Sequence, residues 1–231
     1  MEWLSDIFTM QFAAALASII VIDLVLAGDN AILIALAARN LPPELQKKAI
    51  MWGAAGAIVV RALMTLAVVW LLKIPGLMLV GGLALVWIAW KLLADDGQGG
   101  DEHGAGSTTL MGAMKTIIIA DAVMGIDNVL AIAGASHGSF LLVVLGLLIS
   151  VPVVVWGSGV VLRLIERFPL IIYGGAAVLA YTAAHMIVAE PVLKPFFSEQ
   201  RPLVWAVYAA VFVIVLGGGW LVQRRRQQQP A

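Results

Sequence analysis

A short acidic pattern occurs twice in this chain, each time inside a long apolar segment. It consists of two aspartates six positions apart, followed directly by an asparagine. The first copy is Asp23, Asp29 and Asn30, and the second, 98 positions later, is Asp121, Asp127 and Asn128. An ionised aspartate in hydrocarbon surroundings costs about 2.5 to 3.5 kcal/mol, so the four carboxylates need compensation from other groups. The repetition therefore predicts a function for these side chains.

Compensation could come from a basic residue, from protons or from a bound cation. Arg61 is the candidate counter-ion inside an apolar segment, and one guanidinium cannot neutralise four carboxylates. Carboxylate and amide oxygens suit Mn²⁺, Mg²⁺ and Ca²⁺, whereas a chain without Cys or clustered His is a poor ligand set for Zn²⁺ or Cu²⁺. The pattern predicts a site for a hard divalent cation, with Arg61 either as its fixed counter-charge or in a purely structural ion pair.

The spacing also determines which side chains share a helix face. Positions seven apart differ by about 20° around an ideal helix, and positions six apart by about 120°. Asp23 and Asn30 therefore lie on the same face of the helix, and Asp29 lies on a different one. Because Gly28 and Gly125 weaken their helices within the motifs, we expect a local break that turns the second aspartate of each copy inward and frees backbone carbonyls as ligands.

The elements that position these residues belong to a membrane protein. Of 231 residues, 62% are hydrophobic and only 12% are charged, and the mean hydropathy is +1.00. Soluble domains are about a quarter charged. Zero net charge with scattered basic residues argues against nucleic-acid binding. The N-terminus has no basic region before a short apolar core, so we do not expect a cleaved signal peptide.

The fold class expected is an all-α polytopic membrane protein. A spanning helix needs about 20 apolar residues, and seven segments meet this requirement. They are 10–38, 48–72, 75–94, 111–136, 140–162, 169–189 and 203–222. A glycine-rich linker at 95–110 separates repeat one (10–94) from repeat two (111–190), and 203–222 is an extra helix. All of these belong to a single membrane domain, 1–231.

Basic residues predict the orientation in the bilayer. Ten Lys and Arg residues fall on one side of the spans and three on the other, which places the N-terminus outside and the C-terminus and linker in the cytoplasm. With three spans between the two motifs, the repeat is inverted, an arrangement typical of secondary transporters. A second parallel is Val80-Gly81-Gly82 with Tyr173-Gly174-Gly175. Seven of the eight tryptophans lie near span ends, and Trp156 alone is central.

Three other side chains have both a functional and a structural interpretation. Met124 could supply a thioether that favours Mn²⁺, although core packing is the stronger interpretation because Leu26 occupies the matching position. His103, beside Asp101 and Glu102, could sense metal, but a solvated linker explains it more simply. His185 is interpreted as a hydrogen-bonded interior histidine rather than a ligand.

The segments D-L-V-L-A-G-D-N-A and D-A-V-M-G-I-D-N-V, with G-G-L-A-L-V-W-I-A-W-K-L after Val80 and the seven-span length, resemble the TerC family of bacterial membrane proteins, within the LysE-type transporter group. The resemblance implies export of manganese through the bacterial inner membrane. It also implies that both motif copies supply the metal ligands, which are Asp23, Asp29, Asn30, Asp121, Asp127 and Asn128.

We therefore expect a Mn²⁺ exporter that works by alternating access, with Ca²⁺ or Mg²⁺ as other possible ions, protons as the coupling ion and no tightly bound cofactor. Two alternatives remain. Ala27-Gly28-Asp29 faintly matches the signature of intramembrane aspartyl proteases, in which two aspartates share a proton. A non-transporting scaffold could instead dock proteins through the acidic linker. We expect no enzymatic activity and no catalytic residues, and no sequence feature specifies an oligomeric state.

Overall fold

The fold is a bundle of long helices. The computed structural model describes residues 10–71, 74–94, 109–136 and 139–227, without the side chains at 23–27, 68–69, 127, 130–131, 133–134, 199 and 225–227. All regular elements in these ranges are helical, which confirms the all-α prediction. Residues 95–108 of the predicted linker, which include His103, lie outside the described residues.

Among the described residues, six long helices come first and a broken helical run follows them. The long helices are α1 (Met10–Ala38), α2 (Pro43–Leu71), α3 (Leu77–Ala94), α4 (Leu110–Ala135), α5 (Phe140–Arg167) and α6 (Ile171–Ala189). The run comprises α7 (Lys194–Glu199), α8 (Arg201–Phe212), a π-helical turn (Val213–Gly217) and α9 (Gly218–Gln227). Each predicted span overlaps one long helix or this run.

Two helices extend past their predicted spans. Helix α2 begins at Pro43 rather than at 48, and α5 ends at Arg167 rather than at 162. The additional turns carry charged residues, which hydropathy excludes from a span although helical hydrogen bonding continues through them. Five described helical segments are long and apolar enough to cross a membrane, namely Pro43–Ala67, Leu77–Ala94, Phe140–Arg167, Ile171–Ala189 and Arg201–Arg224.

The predicted helix breaks are wrong. Helix α1 runs unbroken through Gly28, and α4 runs unbroken through Gly125. A glycine within a helix costs only about 1 kcal/mol relative to alanine. That cost is small compared with leaving backbone groups without hydrogen bonds in an apolar interior. Helical hydrogen bonding therefore outweighs the weak local preference of glycine.

The helices pack as three main pairs, α1 with α5, α2 with α4 and α3 with α6, while α1 also packs against α4. Two of these pairs share one kind of close contact. Gly53 of α2 packs against the side chain of Ile117 of α4, and Gly146 of α5 packs against the side chain of Ile19 of α1. A Cβ atom on either glycine would overlap the isoleucine side chain. Since Ile19 and Ile117 are 98 positions apart, as the motifs are, the two contacts match.

Helix α3 is attached to α6 at its first turn. Glu190, at the C-terminal end of α6, accepts hydrogen bonds from the backbone N–H groups of Gly76 (2.9 Å), Met78 (3.1 Å), Leu79 (3.2 Å) and Val192 (3.3 Å). Gly76 has φ of +81°, a turn conformation that glycine adopts at little cost. Burial alone would raise the pKa of Glu190, but these four donors stabilise the carboxylate and lower its pKa below the ordinary value.

The other end of α3 is also held. Gln223 of α9 donates from Nε2 to the carbonyl oxygen of Leu93 (2.6 Å) and accepts at Oε1 from the hydroxyl of Tyr173, at the start of α6 (2.5 Å). These bonds satisfy a carbonyl in the last turn of α3, where helical partners are missing. The α3–α6 pair is therefore joined by hydrogen bonds at both ends.

Candidate cation site

A small cavity lies among helices α1, α2, α4 and α5. Most of its wall is apolar, and three polar residues contribute to it. These three are Asn30, Arg61 and Asp121, from α1, α2 and α4. The apolar lining consists of Ile34, Ala54, Ala57, Ile58, Leu147, Val151 and Val154.

The charged members of this lining form a buried ion pair. Arg61 Nη2 donates to Asp121 Oδ1, and each residue is only 5% exposed. One turn later, the hydroxyl of Thr65 donates to the carbonyl oxygen of Arg61 (2.8 Å). Removing one partner of such a pair leaves an uncompensated buried charge, which costs about 3 to 5 kcal/mol. Arg61 is thus placed to balance the charge of one motif aspartate.

Asn30 contributes a different kind of atom. The residue is 3% exposed, and its side-chain Oδ1 meets no hydrogen-bond donor among the described residues. A buried acceptor without a donor costs about 1 to 3 kcal/mol. A cation or a water molecule in the cavity would relieve this cost. The cavity therefore combines a carboxylate with an amide oxygen, both of which are hard ligands.

Asp29 lies outside this cavity lining. Its Oδ1 accepts from the backbone N–H of Asn30 (2.9 Å). Its Oδ2 lies 3.4 Å from the hydroxyl of Thr182 on α6, whose proton it shares with the closer carbonyl oxygen of Val178 (3.2 Å). Consecutive residues of an unbroken helix differ in direction by about 100°. Asp29 and Asn30 therefore face different neighbours, as the spacing predicts for a continuous helix.

The second copy of the motif is described in part. Asp121 lines the cavity, and Asn128, one helical period of seven later, is buried but absent from the lining. The side chains of Asp23 and Asp127 lie outside the described residues. Among the side chains that are described, no three Asp, Glu or His residues gather closely enough to hold a metal ion. Of the six predicted ligands, the structure brings Asn30 and Asp121 to one cavity.

The remaining candidates have structural roles. Met124 is 3% exposed and packs in the main hydrophobic core. The imidazole Nδ1 of His185 hydrogen-bonds the hydroxyl of Tyr208 on α8 (3.2 Å), and the ring stacks on Tyr181. His185 is hydrogen-bonded, as expected, but it is exposed rather than interior because α8 covers only one side of α6.

Sequence reasoning missed the polar partners that these helices supply to one another. Thr182 reads as an ordinary residue of an apolar segment, and Glu190 before Pro191 reads as the end of a span. Each acquires its role only when α6 packs against α1 or α3. A carboxylate next to a span end was the available signal for Glu190, whereas no signal marked Thr182.

Comparisons with known proteins agree with this membrane architecture. The chain is 44% identical to the uncharacterized membrane protein YjbE of Bacillus subtilis (strain 168) over 190 residues, which cover 82% of this chain and 86% of YjbE. It is 25% identical to the uncharacterized membrane protein YkoY of the same organism over an alignment of 248 positions, which covers 95% of this chain and 75% of YkoY. It is 26% identical to the inner membrane protein YgdQ of Escherichia coli (strain K12) over 172 residues, with coverage of 67% and 72%.

No solved structure matches the chain. The model of the TerC family of integral membrane proteins matches residues 8–228, which include both motifs and all the described helices. Together with the identity to YjbE over most of both chains, this match shows that the chain belongs to the TerC family.

Proposed function

We propose that this protein exports a divalent metal cation, Mn²⁺, from the cytoplasm by alternating access, with the cavity at Asn30, Arg61 and Asp121 as part of its mid-membrane site. The observation that carries the proposal is the pair of hard oxygen donors in one buried cavity. Asn30 Oδ1 meets no donor among the described residues, and the Asp121 carboxylate lines the same space. A protein that only needed packing would fill this space with apolar side chains.

The arrangement of the helices supports alternating access. The matched pairs α1 with α5 and α2 with α4, together with the matched contacts of Gly53 and Gly146, fit an inverted repeat of three helices. Such repeats place a substrate site at their interface, near the bilayer midplane. The cavity lies between the first two helices of each half. We place the protein in the bacterial inner membrane with its N-terminus outside, following the distribution of Lys and Arg.

The chemistry of the ligands limits the ion. Oxygen donors suit Mn²⁺, Mg²⁺ and Ca²⁺, and the resemblance of the motifs to the TerC family selects Mn²⁺ among them. Because Met124 packs in the core, the proposed selectivity does not depend on its thioether. The ligand set proposed is Asp23, Asp29, Asn30, Asp121, Asp127 and Asn128, assembled at different stages of transport.

Charge balance gives a reason for proton coupling. When the cation leaves, Arg61 remains beside Asp121 and compensates that carboxylate. The other motif aspartates lie in predicted spans, where an ionised carboxylate is costly and binding a proton lowers that cost. Exchange of one divalent cation for protons therefore lets the empty carrier return at a lower energy.

The surroundings of Asp29 and Asp121 favour transport over proteolysis. Asp29 bonds to Thr182 on α6, whereas Asp121 pairs with Arg61 on α2. An aspartyl protease needs two carboxylates that share a proton, and these two have different neighbours. We propose no enzymatic activity.

The test is transport by Asp121→Asn. In a manganese-sensitive host without its own exporter, the wild-type protein is expected to lower cellular manganese, measured by elemental analysis, and the variant is expected to lose this effect. Glu44→Gln, an exposed carboxylate in the first turn of α2, is the matched control and should export normally. Full manganese export by Asp121→Asn at equal protein level would contradict the site assignment.

A further inference from the structure

A second cavity, separate from the cavity lined by Asn30, Arg61 and Asp121 (the motif cavity), opens between the first turns of α2 and the last turns of α5. It contains about 730 Å³ of empty space. Both walls carry a basic residue, Lys47 on α2 and Arg163 on α5. Both residues are exposed, and neither makes an ion pair with a described residue. We call this cavity the α2–α5 groove.

The α2–α5 groove changes character along α5. Arg163 and Glu166 line its charged end, and Trp156 and Val155 line its apolar end. Arg163 and Trp156 are seven residues apart, about 10 Å along the helix axis. Helix α5 has 28 residues and is therefore about 42 Å long, which exceeds the roughly 30 Å of hydrocarbon in a bilayer. The charged end thus reaches the level of lipid headgroups while the other end lies among acyl chains.

Gly159 forms an open position in the groove. A Cβ atom placed on it would meet nothing within 4 Å, so the space above this residue is available to a ligand. Trp156, three residues before it, is 71% exposed. A tryptophan away from the ends of a span is unusual because its indole N–H favours the interface. Its position here fits a side chain that packs along a bound acyl chain.

We propose that the α2–α5 groove binds one anionic phospholipid, with its phosphate between Lys47 and Arg163 and an acyl chain along Gly159 and Trp156. Basic pockets between membrane helices recognise anionic headgroups in this way. Positive charge at one end and apolar surface at the other match the two parts of a phospholipid. Glu166 opposes binding, since its carboxylate lines the same end of the groove.

The charges predict three graded effects on binding. Lys47→Gln and Arg163→Gln are each expected to weaken binding of phosphatidylglycerol about 5-fold, and the double variant about 25-fold. Glu166→Gln should strengthen it by a similar factor because it removes a repelling charge. Lys48→Gln is the matched control, since Lys48 is an exposed neighbour that is absent from the groove lining.

Gly159→Leu tests the shape of the groove without changing its charge. The new side chain would occupy the open space and should reduce phosphatidylglycerol binding at least 10-fold. All of these positions face open space or are exposed, so the variants should fold, and unfolding temperatures measured without lipid check this.

The measurement is native mass spectrometry of the purified full chain in detergent, titrated with phosphatidylglycerol, with phosphatidylcholine of the same acyl chains, or with inorganic phosphate. We expect the protein to retain a single phosphatidylglycerol molecule and to retain phosphatidylcholine more weakly. Inorganic phosphate should not compete with phosphatidylglycerol. Equal retention of the two lipids, competition by phosphate, or an equal loss in Lys48→Gln would overturn the proposal.

Discussion

The α2 and α5 walls of the motif cavity use matching positions but differ in charge at one of them. The matching pairs, each 93 positions apart, are Ala54 with Leu147, Ile58 with Val151 and Arg61 with Val154. Two pairs are apolar in both halves, and the third is basic in one half alone. Asp121 therefore has the buried guanidinium of Arg61 beside it, while Val154, the corresponding residue of α5, carries no charge. The two halves are thus unequal in electrostatics.

Packing between the same helices shows the opposite behaviour. The contact of Gly53 with Ile117 has a counterpart in the contact of Gly146 with Ile19. Close approach of helices depends only on small side chains opposite large ones, so both halves satisfy it in the same way. The two halves therefore repeat the close packing of their helices, but among the described side chains only the first half supplies a buried basic residue beside a motif aspartate.

The largest expected effect comes from removing the charge that distinguishes the halves. Arg61→Leu makes the α2 wall resemble the α5 wall and leaves Asp121 as an uncompensated buried charge. We expect the free energy of unfolding to fall by about 3 to 5 kcal/mol, measured by denaturant unfolding in detergent.

The double variant Arg61→Leu with Asp121→Asn provides the control. It removes both charges, so most of the lost stability should return, although export should not. A single Arg61→Leu variant as stable as the wild type would show that the ion pair does not distinguish the two halves.

The next effect concerns the two ends of the α3–α6 pair, one held by the carboxylate of Glu190 and the other by the amide of Gln223. Glu190→Gln is expected to lower the free energy of unfolding by about 2 kcal/mol near neutral pH, since hydrogen bonds to a charged acceptor are the stronger ones.

The pH dependence of this effect has a definite sign. Burial opposes ionisation of Glu190, but its four backbone donors lower its pKa below 4.5 in the folded state. Its contribution is therefore complete above the unfolded value of about 4.5 and is lost as the pH falls through the lower folded-state pKa. The difference in unfolding free energy between wild type and Glu190→Gln should shrink as the pH falls from neutral into the acidic range below about 4.5. A constant difference over this range would contradict the assignment.

A smaller effect tests whether packing is equal in the two halves. Gly53→Ala and Gly146→Ala should each destabilise the protein by about 1 to 2 kcal/mol, because each new Cβ overlaps an isoleucine. Gly174→Ala is the matched control, since a Cβ there meets nothing within 4 Å, and it should be neutral or slightly stabilising. Unfolding temperatures measure all three, and a large difference between the first two would break the proposed equivalence.

The smallest effect concerns Thr182, which touches the first motif from α6. Thr182→Val removes a long hydrogen bond of 3.4 Å to Asp29, so stability should change by less than about 1 kcal/mol. Under the proposed function, half-maximal manganese export should shift by a few-fold, while Thr182→Ser should retain wild-type behaviour. Identical export curves for Thr182→Val and the wild type would exclude a contribution from this hydroxyl.

The sequence predicts the helices well because the signal is local. Each apolar segment of about 20 residues overlaps one helix or the final helical run. The seven-residue spacing of Asp23 and Asn30 also indicates that Asn30 and Asp29 face different ways, and the unbroken α1 keeps them apart. The expected breaks at the motif glycines were wrong because a weak local preference was given more weight than helical hydrogen bonding.

The contacts between helices could not be read from the sequence. Arg61 could be named as a counter-ion, but the choice of Asp121 depends on how α2 lies against α4. Glu190 finds three of its donors more than 100 positions away, at the start of α3. The proposed role of Gly159 and Trp156 in lipid binding likewise depends on the groove between α5 and α2. Such partners follow from packing, which no local pattern encodes.

The hydrogen bonds at both ends of α3 have a consequence for movement. Glu190 fixes its first turn to the end of α6, and Gln223 links its last turn to the start of α6. Two helices joined at both ends cannot slide or tilt against each other without breaking these bonds. In the proposed transport cycle, α3 and α6 therefore move as one unit.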